Sequence, residues 1–405
     1  MTADSHPGDA LSTRDKLLYI IVLGLLTALV PFTVDMYLPA FPALQHDLHT
    51  TETAIQLTLT ATTVGFALGQ LVVGPLSDTF GRRNPLILAT AVHILASIGA
   101  ALSTDVTMLG IFRVLQGIGA AGGGVVAMAM VRDMFSGYPL VKMLSRLSLV
   151  SGLAPILAPV LGSQLLAIMP WPGLFWVLAA YGCSILLASV FFLRETLPVE
   201  RRQHQQKALQ RYAAVFQDRI FVGMLLVAGF NFASLFVYLS ATPFIFQNLY
   251  GLSAQQYGLV FASLSVAVVS GVQISSRLMK RIGPQWILAW VTPIQFLGAA
   301  AIGTTYLLGW GLWGTLIPLW FYVACIGFVF PTVQVLGLVN HGARAGTAAS
   351  LMGAVTFGFG GLMSPIVGAF GPATPLVMSW LMCSSIAALI VVLWTIVRPR
   401  TVPAL

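Results

Sequence analysis

GPLSDTFGRRNPL, residues 74 to 86, is the stretch on which the reading of this chain turns. It gathers Asp78, Arg82 and Arg83 around Gly74 and Gly81, and it separates two apolar runs, 53–76 and 86–103. Each run approaches the roughly 20 residues a helix needs to cross a bilayer core. Charges confined to so short a break between such runs mark a loop at a membrane surface. Scanning outward from it finds further runs at 17–38, 107–131, 142–168, 173–193, 220–246, 254–278, 285–308, 312–338, 346–370 and 374–397, twelve in all. The expected fold is an all-α membrane protein.

Composition agrees. Of 405 residues 58% are hydrophobic and 8% charged, where a soluble domain carries about 25% charge. Soluble, secreted, fibrous and disordered classes are excluded. Cys183, Cys325 and Cys383 each lie inside an apolar run, so neither a disulfide framework nor a zinc spacing is available. The formal charge of +8 would suit nucleic acid, but its distribution argues otherwise. Nineteen of the twenty Lys and Arg residues fall in alternate loops, among them Arg14, Arg82, Arg83, Arg146, Arg194, Arg277, Arg344 and Arg398, and the opposite loops hold none. That is the charge bias of cytoplasmic loops. Both termini are expected in the cytoplasm of a cell whose plasma membrane holds the chain.

One polar segment interrupts the rhythm, RETLPVERRQHQQKALQRYAAVFQDR at 194–219. It divides the chain into a tail at 1–16, a six-helix bundle at 17–193, the linker, a second bundle at 220–397, and a tail at 398–405. VDMYLPAFPALQHDL (34–48) aligns with FVYLSATPFIFQNLY (236–250) when Tyr37 is set on Tyr238, an offset of 201, and Gly81 faces Gly283 at an offset of 202. Duplicated six-span halves are the plan of a carrier whose site lies at mid-membrane between them.

Ionisable groups at membrane depth are few: Asp35 in span 1, His93 in span 3 and Arg113 in span 4. No carboxylate occurs after Asp218. A charge at a helix centre costs about 2.5–3.5 kcal/mol on insertion scales, so it marks a pathway or a partner. An Asp35–Arg113 pair 4 Å apart would be worth about 4 kcal/mol at an effective dielectric of 20. Moving either group would then decide whether Asp35 holds a proton. The alternatives are a structural ion pair, or a carboxylate at the outer edge beside Pro39 and Pro42. His93 reads as a packing residue, with a relay role as the less favoured option.

The pattern in 74–86 resembles the cytoplasmic signature of the major facilitator superfamily. As a gate it makes physical sense. Gly74 would permit close helix contact, Asp78 would sit at the positive N-terminus of a helix, and Arg82 would reach Asp133. LGIFRVLQGIGAAGGG (109–124) resembles the family's second motif, with Arg113, Gln116 and Gly117 in place. SGLAPILAPVLGS (151–163) resembles its antiporter motif, although Ala158-Pro159 and Gly162-Ser163 stand where the family has Gly-Pro and Gly-Gly. Pro155 and Pro159 would bend this helix, and Gly152 and Gly162 would let a neighbour approach. With LVPFTVDMYLPAFP (29–42) and RETLPVERR (194–202), the chain is similar to the bicyclomycin-resistance (Bcr/CflA) branch of drug:proton antiporters.

The resemblance implies a twelve-helix exporter of small amphipathic drugs working by alternating access, with Asp35 as proton carrier and Arg113 as its modulator. The implied partners are a drug, protons and the lipid bilayer, with no nucleic acid, no metal and no cofactor, and the chain acts as a monomer. Candidates for an apolar pocket with few polar anchors are Phe32, Asp35, Met36 and Met128 in the first half. Asn231, Leu235 and Tyr238, which share a helix face, join Gln334 and Phe357 in the second. The gate comprises Gly74, Asp78, Gly81, Arg82, Arg83, Asp133, Pro155 and Pro159. A sugar or metabolite carrier is the nearest alternative. An enzyme is not expected, because no G-x-S-x-G, H-E-x-x-H or Walker pattern occurs.

Overall fold

The computed structural model describes residue 8 and residues 12–202, 216–339 and 345–402. The centre of the linker, with Lys207 and Arg211, lies outside them, as do Arg344 and most of the N-terminal tail. Twelve helices among the described residues are long and apolar enough to cross a membrane. They are α1 (Thr13–Asp35), α2 (Glu52–Phe80), α3 (Arg83–Ala101), α4 (Val106–Met134), α5 (Gly137–Leu165), α6 (Pro172–Phe192), α7 (Arg219–Phe244), α8 (Ala254–Ile282), α9 (Pro284–Leu307), α10 (Gly311–Leu338), α11 (Ala345–Ala369) and α12 (Pro375–Val392). They form two six-helix halves, with α2 packed along α11 and α5 along α8 where the halves meet.

Their ends follow local rules. Thr51, Asp105, Asp218 and Thr374 accept hydrogen bonds from the first turns of α2, α4, α7 and α12, and Ser253 and Gln256 form a reciprocal cap on α8. Gly81 and Gly283 stop α2 and α8 with φ of +92° and +77°, backbone that side chains resist. The two halves therefore turn at corresponding places.

Lipid gives helices no hydrophobic reason to associate, so small residues that admit backbone contact decide the packing. A Cβ on Gly65 would stand 3.1 Å from the Cα of Gly117 and closer still to the Val114 carbonyl, which joins α2 to α4. In the second half a Cβ on Gly271 would stand 3.2 Å from the Cα of Gly327, joining α8 to α10 in the same way. Gly74 differs from the expectation: its Cβ would meet Val125 at an ordinary 3.5 Å, so the close contact of α2 is made higher up, at Gly65 and Gly69. In α5, Gly162 lies hard against the Met36 carbonyl, whereas a Cβ on Gly152 would meet nothing within 4 Å.

The described ends differ from the sequence reading mainly in span 1. Its helix stops at Asp35, a turn at Leu38–Ala40 follows, and a short helix at Phe41–Asp47 continues to the surface. Asp35 is thus buried well short of the exposed Asp47, and the outer-edge alternative does not hold. Eight of the nine tryptophans project outward; only Trp171, whose ring nitrogen donates to Asp47 at 3.1 Å, is buried. Such amphipathic rings suit the lipid boundary.

Candidate functional site

The end of a helix leaves carbonyls without partners. Because α1 stops at Asp35, the Thr33 carbonyl is free, and Nη1 of Arg113, reaching across from α4, donates to it at 3.0 Å. The same nitrogen donates to Oε1 of Gln116 at 2.5 Å, one turn along α4. The guanidinium carbon lies 4.1 Å from the centre of the Tyr37 ring and 5.7 Å from that of Phe175, an arrangement in which the ring faces attract the cation. Nε and Nη2 make no hydrogen bond. Gln116 continues the network through Nε2 to Ser97 at 2.8 Å, and its carbonyl oxygen lies 3.2 Å from Nδ1 of His93.

Asp35 makes no ion pair among the described residues, whose ion pairs are His46–Asp47, Arg82–Asp78 and Arg82–Asp133. Both Asp35 and Arg113 are buried, but the guanidinium has turned to a backbone carbonyl, an amide and two rings, and the expected pair is not formed. The Leu38–Ala40 turn that follows Asp35 packs against α7 and α8 of the second half.

The 202-residue offset that sets Gly81 on Gly283 also sets His93 on Gln295. Gln295 too lies in a buried polar cluster, donating from Nε2 to Oδ1 of Asn231 at 3.2 Å. His93 therefore occupies a position that each half uses to satisfy a buried network.

A cavity of about 320 Å³ opens among α7, α10 and α11 of the second half, with Gln70 of α2 closing it from the first half. It is lined by the middle of α7, the first half of α11 and the last third of α10, which places it just to the terminal side of the bundle's middle. Asn231, Gln334 and Phe357 line it, together with Gln70, Phe232, Phe330, Met352 and Thr356. Phe32, Met36, Met128, Leu235 and Tyr238 do not. Phe32 packs on Tyr181 with ring centres 5.4 Å apart, Tyr238 stacks on Phe261 at 5.6 Å, and Met36, Met128 and Leu235 join the apolar core. Asp35 is not among the lining residues either. Gln70 was open to the argument that flagged Asn231 and Gln334, an amide on an apolar helix, whereas nothing in the sequence distinguishes Phe175 from other phenylalanines.

At the opposite end the halves are tied directly. Thr53 Oγ1 donates to the Gly368 carbonyl at 3.0 Å, Glu52 accepts the Ala373 N–H at 3.0 Å, Gln247 donates to the Pro39 carbonyl at 3.2 Å, and Gln56 donates to the Ser240 carbonyl at 3.3 Å. Deeper in, the antiporter-like motif supplies another tie. Pro159 has no N–H, so the Pro155 carbonyl lacks its partner in the helix, and Ser265 of α8 donates to it at 3.0 Å.

The residues around Gly81 also come together: Arg82 reaches Asp133 as expected, and Asp78 has a different partner. Arg82 donates from Nε to Asp133 at 2.8 Å and from Nη1 to Asp78 at 2.5 Å and to Ser77 at 2.9 Å. Asp78 is therefore an ion-pair partner and not a helix cap. The cap of α3 is Glu195, which accepts the N–H groups of Arg82 at 2.8 Å and Arg83 at 3.1 Å. Partial burial would raise the carboxyl pKa of Glu195, but four backbone donors outweigh it and hold it below the ordinary carboxylate range. Arg83 returns the favour at the end of α6, donating to the carbonyls of Leu193 at 3.0 Å and Val190 at 2.8 Å. All these partners belong to the first half or to the first residues of the linker, so in this conformation the cluster braces α2, α3, α4 and α6 and does not latch the two halves.

A family model described as Major Facilitator Superfamily matches residues 23–365. The uncharacterized MFS-type transporter YdgK of Bacillus subtilis is 35% identical over 359 residues, covering 88% of this chain and 89% of that protein. The bicyclomycin resistance protein homolog of Haemophilus influenzae is 30% identical over 383 residues, covering 93% and 96%. The multidrug resistance protein MdtL of Escherichia fergusonii is 28% identical over 388 residues, covering 94% and 96%. Among solved structures, a D-xylose-proton symporter matches with a TM-score of 0.76 at 16% identity, covering 96% of this chain and 99% of that one. A bacterial homolog of the lysosomal transporter Spinster, in an inward-facing unoccupied conformation, matches with a TM-score of 0.73 at 16% identity, covering 97% and 100%. At such identity these two likenesses speak for the fold alone.

Proposed function

Because this chain belongs to the major facilitator superfamily, we propose that it exports small amphipathic drugs in exchange for protons, by rocking its two halves about a central site. The relatives named for bicyclomycin and multidrug resistance support the substrate class. The observation that carries the proton coupling is Asp35: a buried carboxyl without an ionic partner among the described residues, in a chain that has no carboxylate after Asp218. Such a group is the one carboxyl that the sequence places at membrane depth, and it can take up and release a proton there.

In this reading both termini are cytoplasmic, the tied end faces outward, and the cavity is open to the cytoplasm in a plasma-membrane monomer whose halves are 17–193 and 220–397. Drug enters from the terminal end. Arg113 modulates Asp35 by exchanging its present partners, the Thr33 carbonyl and Gln116, for the carboxylate. The orphaned Nε and Nη2 are the donors free to make that exchange. Asn231, Gln334 and Phe357 contact the drug, and the Arg82 cluster with Asp78, Asp133, Gly81 and Arg83 sets the geometry of the cytoplasmic gate.

The test is reconstitution in liposomes with a pH gradient. The parent chain is expected to drive drug uphill, and Asp35→Asn to leave only downhill movement. Retained uphill transport in that variant refutes the assignment of Asp35. Direction separates export from the sugar or metabolite alternative: removing the protein from cells should raise internal drug if it exports and lower internal substrate if it imports.

A further inference from the structure

The cavity between α7, α10 and α11 offers three amides, Gln70, Asn231 and Gln334, among the rings of Phe232, Phe330 and Phe357, and no ionisable group among its described lining. We propose that it takes an electrically neutral molecule with an apolar body and several hydrogen-bonding groups, and that it rejects permanent cations. The inference rests on the efflux reading for its transport consequence but not for the binding.

A buried cation needs a counter-charge, because its desolvation costs several kcal/mol. The second half cannot supply one, since no carboxylate follows Asp218, and Asp35 lies outside the lining. The aromatic faces do not compensate: a cation over phenylalanine gains about 0.5–2 kcal/mol. A neutral ligand meets the opposite conditions. Asn231 is buried, its Oδ1 is taken by Gln295, and its Nδ2 has no partner. That amide offers donors and needs an acceptor such as a carbonyl or hydroxyl oxygen, which a tetra-aryl or quaternary cation does not carry. Gln334, exposed in the cavity wall, and Gln70 opposite can donate or accept as the ligand requires.

The consequence is electrical. Exchange of one neutral molecule outward for one proton inward on Asp35 moves one positive charge inward per cycle, so the membrane potential drives export as well as the pH gradient.

Equilibrium dialysis of the purified full chain against radiolabelled chloramphenicol, which is uncharged, and tetraphenylphosphonium, a permanent cation, tests the claim. The parent chain should bind chloramphenicol at least about tenfold more tightly, and Asn231→Ala should weaken it about tenfold, the scale of one lost hydrogen bond. Gln334→Glu, at an exposed position that folding tolerates, should raise tetraphenylphosphonium affinity about tenfold. Equal or tighter binding of the cation by the parent chain, binding of neither probe, or no gain in Gln334→Glu overturns the proposal. The efflux reading is judged separately by pH-driven flux: absent flux with an intact preference for chloramphenicol sinks that reading alone, and intact flux with a reversed preference sinks this one alone.

Discussion

Arg113 and Asp35 show what a sequence tells about a residue and what it withholds. Two opposite charges in apolar helices were conspicuous, because the membrane tolerates so few. That they stand apart was not legible, since it depends on where α1 stops and which carbonyl it frees, and a helix end buried in protein leaves little mark on hydropathy. The fork of Arg113 serves the Thr33 carbonyl and Gln116 from one nitrogen while its plane lies on Tyr37. A lysine keeps the charge but not the plane. Arg113→Lys is expected to fold and to lose most of its pH-driven transport, read as flux at a series of external pH values; a flux that keeps its pH dependence would deny Arg113 its modulating part. Glycines allow a sharper comparison. Gly65→Ala should cost about 1–3 kcal/mol in unfolding of the solubilised protein, as overpacked sites do, because its Cβ has only the Val114 carbonyl and Gly117 to displace. Gly74→Ala, with ordinary space beside Val125, should stay within about 0.5 kcal/mol of the parent chain.

Helix ends and interruptions carry the next level of organisation. The prolines of α5 were legible as bends, but their use was not: Pro159 releases the Pro155 carbonyl to Ser265 of the other half, a relation that requires knowing that α8 runs alongside. Pro159→Ala restores the missing N–H, which then competes for that carbonyl. Pro159→Ala and Ser265→Ala should therefore have similar effects, and the double variant little more than either, with a coupling of about 0.5–1.5 kcal/mol in a double-mutant cycle on thermal unfolding. Additive effects would mean that the hydroxyl and the proline act independently. Glu195 belongs to this scale as well, since it joins the end of α6 to the start of α3. Its carboxyl binds protons more weakly in the folded chain than in the unfolded one, so its contribution is full above the ordinary carboxylate pKa and is lost as pH falls below it. Unfolding temperature should decline across that acid range, and Glu195→Gln should flatten the decline. The motif RETLP announced this residue without its role, because the partner is the backbone of a helix more than a hundred residues away in the chain.

The twelve-helix plan was the most legible feature, because apolar runs and alternating basic loops are imposed by the bilayer itself and not by side-chain detail. The pocket was legible only where an amide stood on an apolar helix; aromatic and methionine candidates could not be sorted, since the same residues fill both cavity walls and cores. The halves meet at the end away from the termini through Thr53, Glu52, Gln56 and Gln247. Cysteines replacing Thr53 and Gly368, in a chain relieved of Cys183, Cys325 and Cys383, should crosslink under oxidation and stop transport, and reduction should restore it. Transport that continues through the crosslinked chain would mean the halves need not part there. The outward-facing tryptophans bear on how any of this can be observed. With eight indoles turned to the membrane and the ninth engaged by Asp47, native emission reports on the surrounding acyl chains: brominated phospholipid should extinguish most of it, while occupancy of the cavity should leave it nearly unaltered. A useful optical signal has to be introduced, for instance by Phe232→Trp.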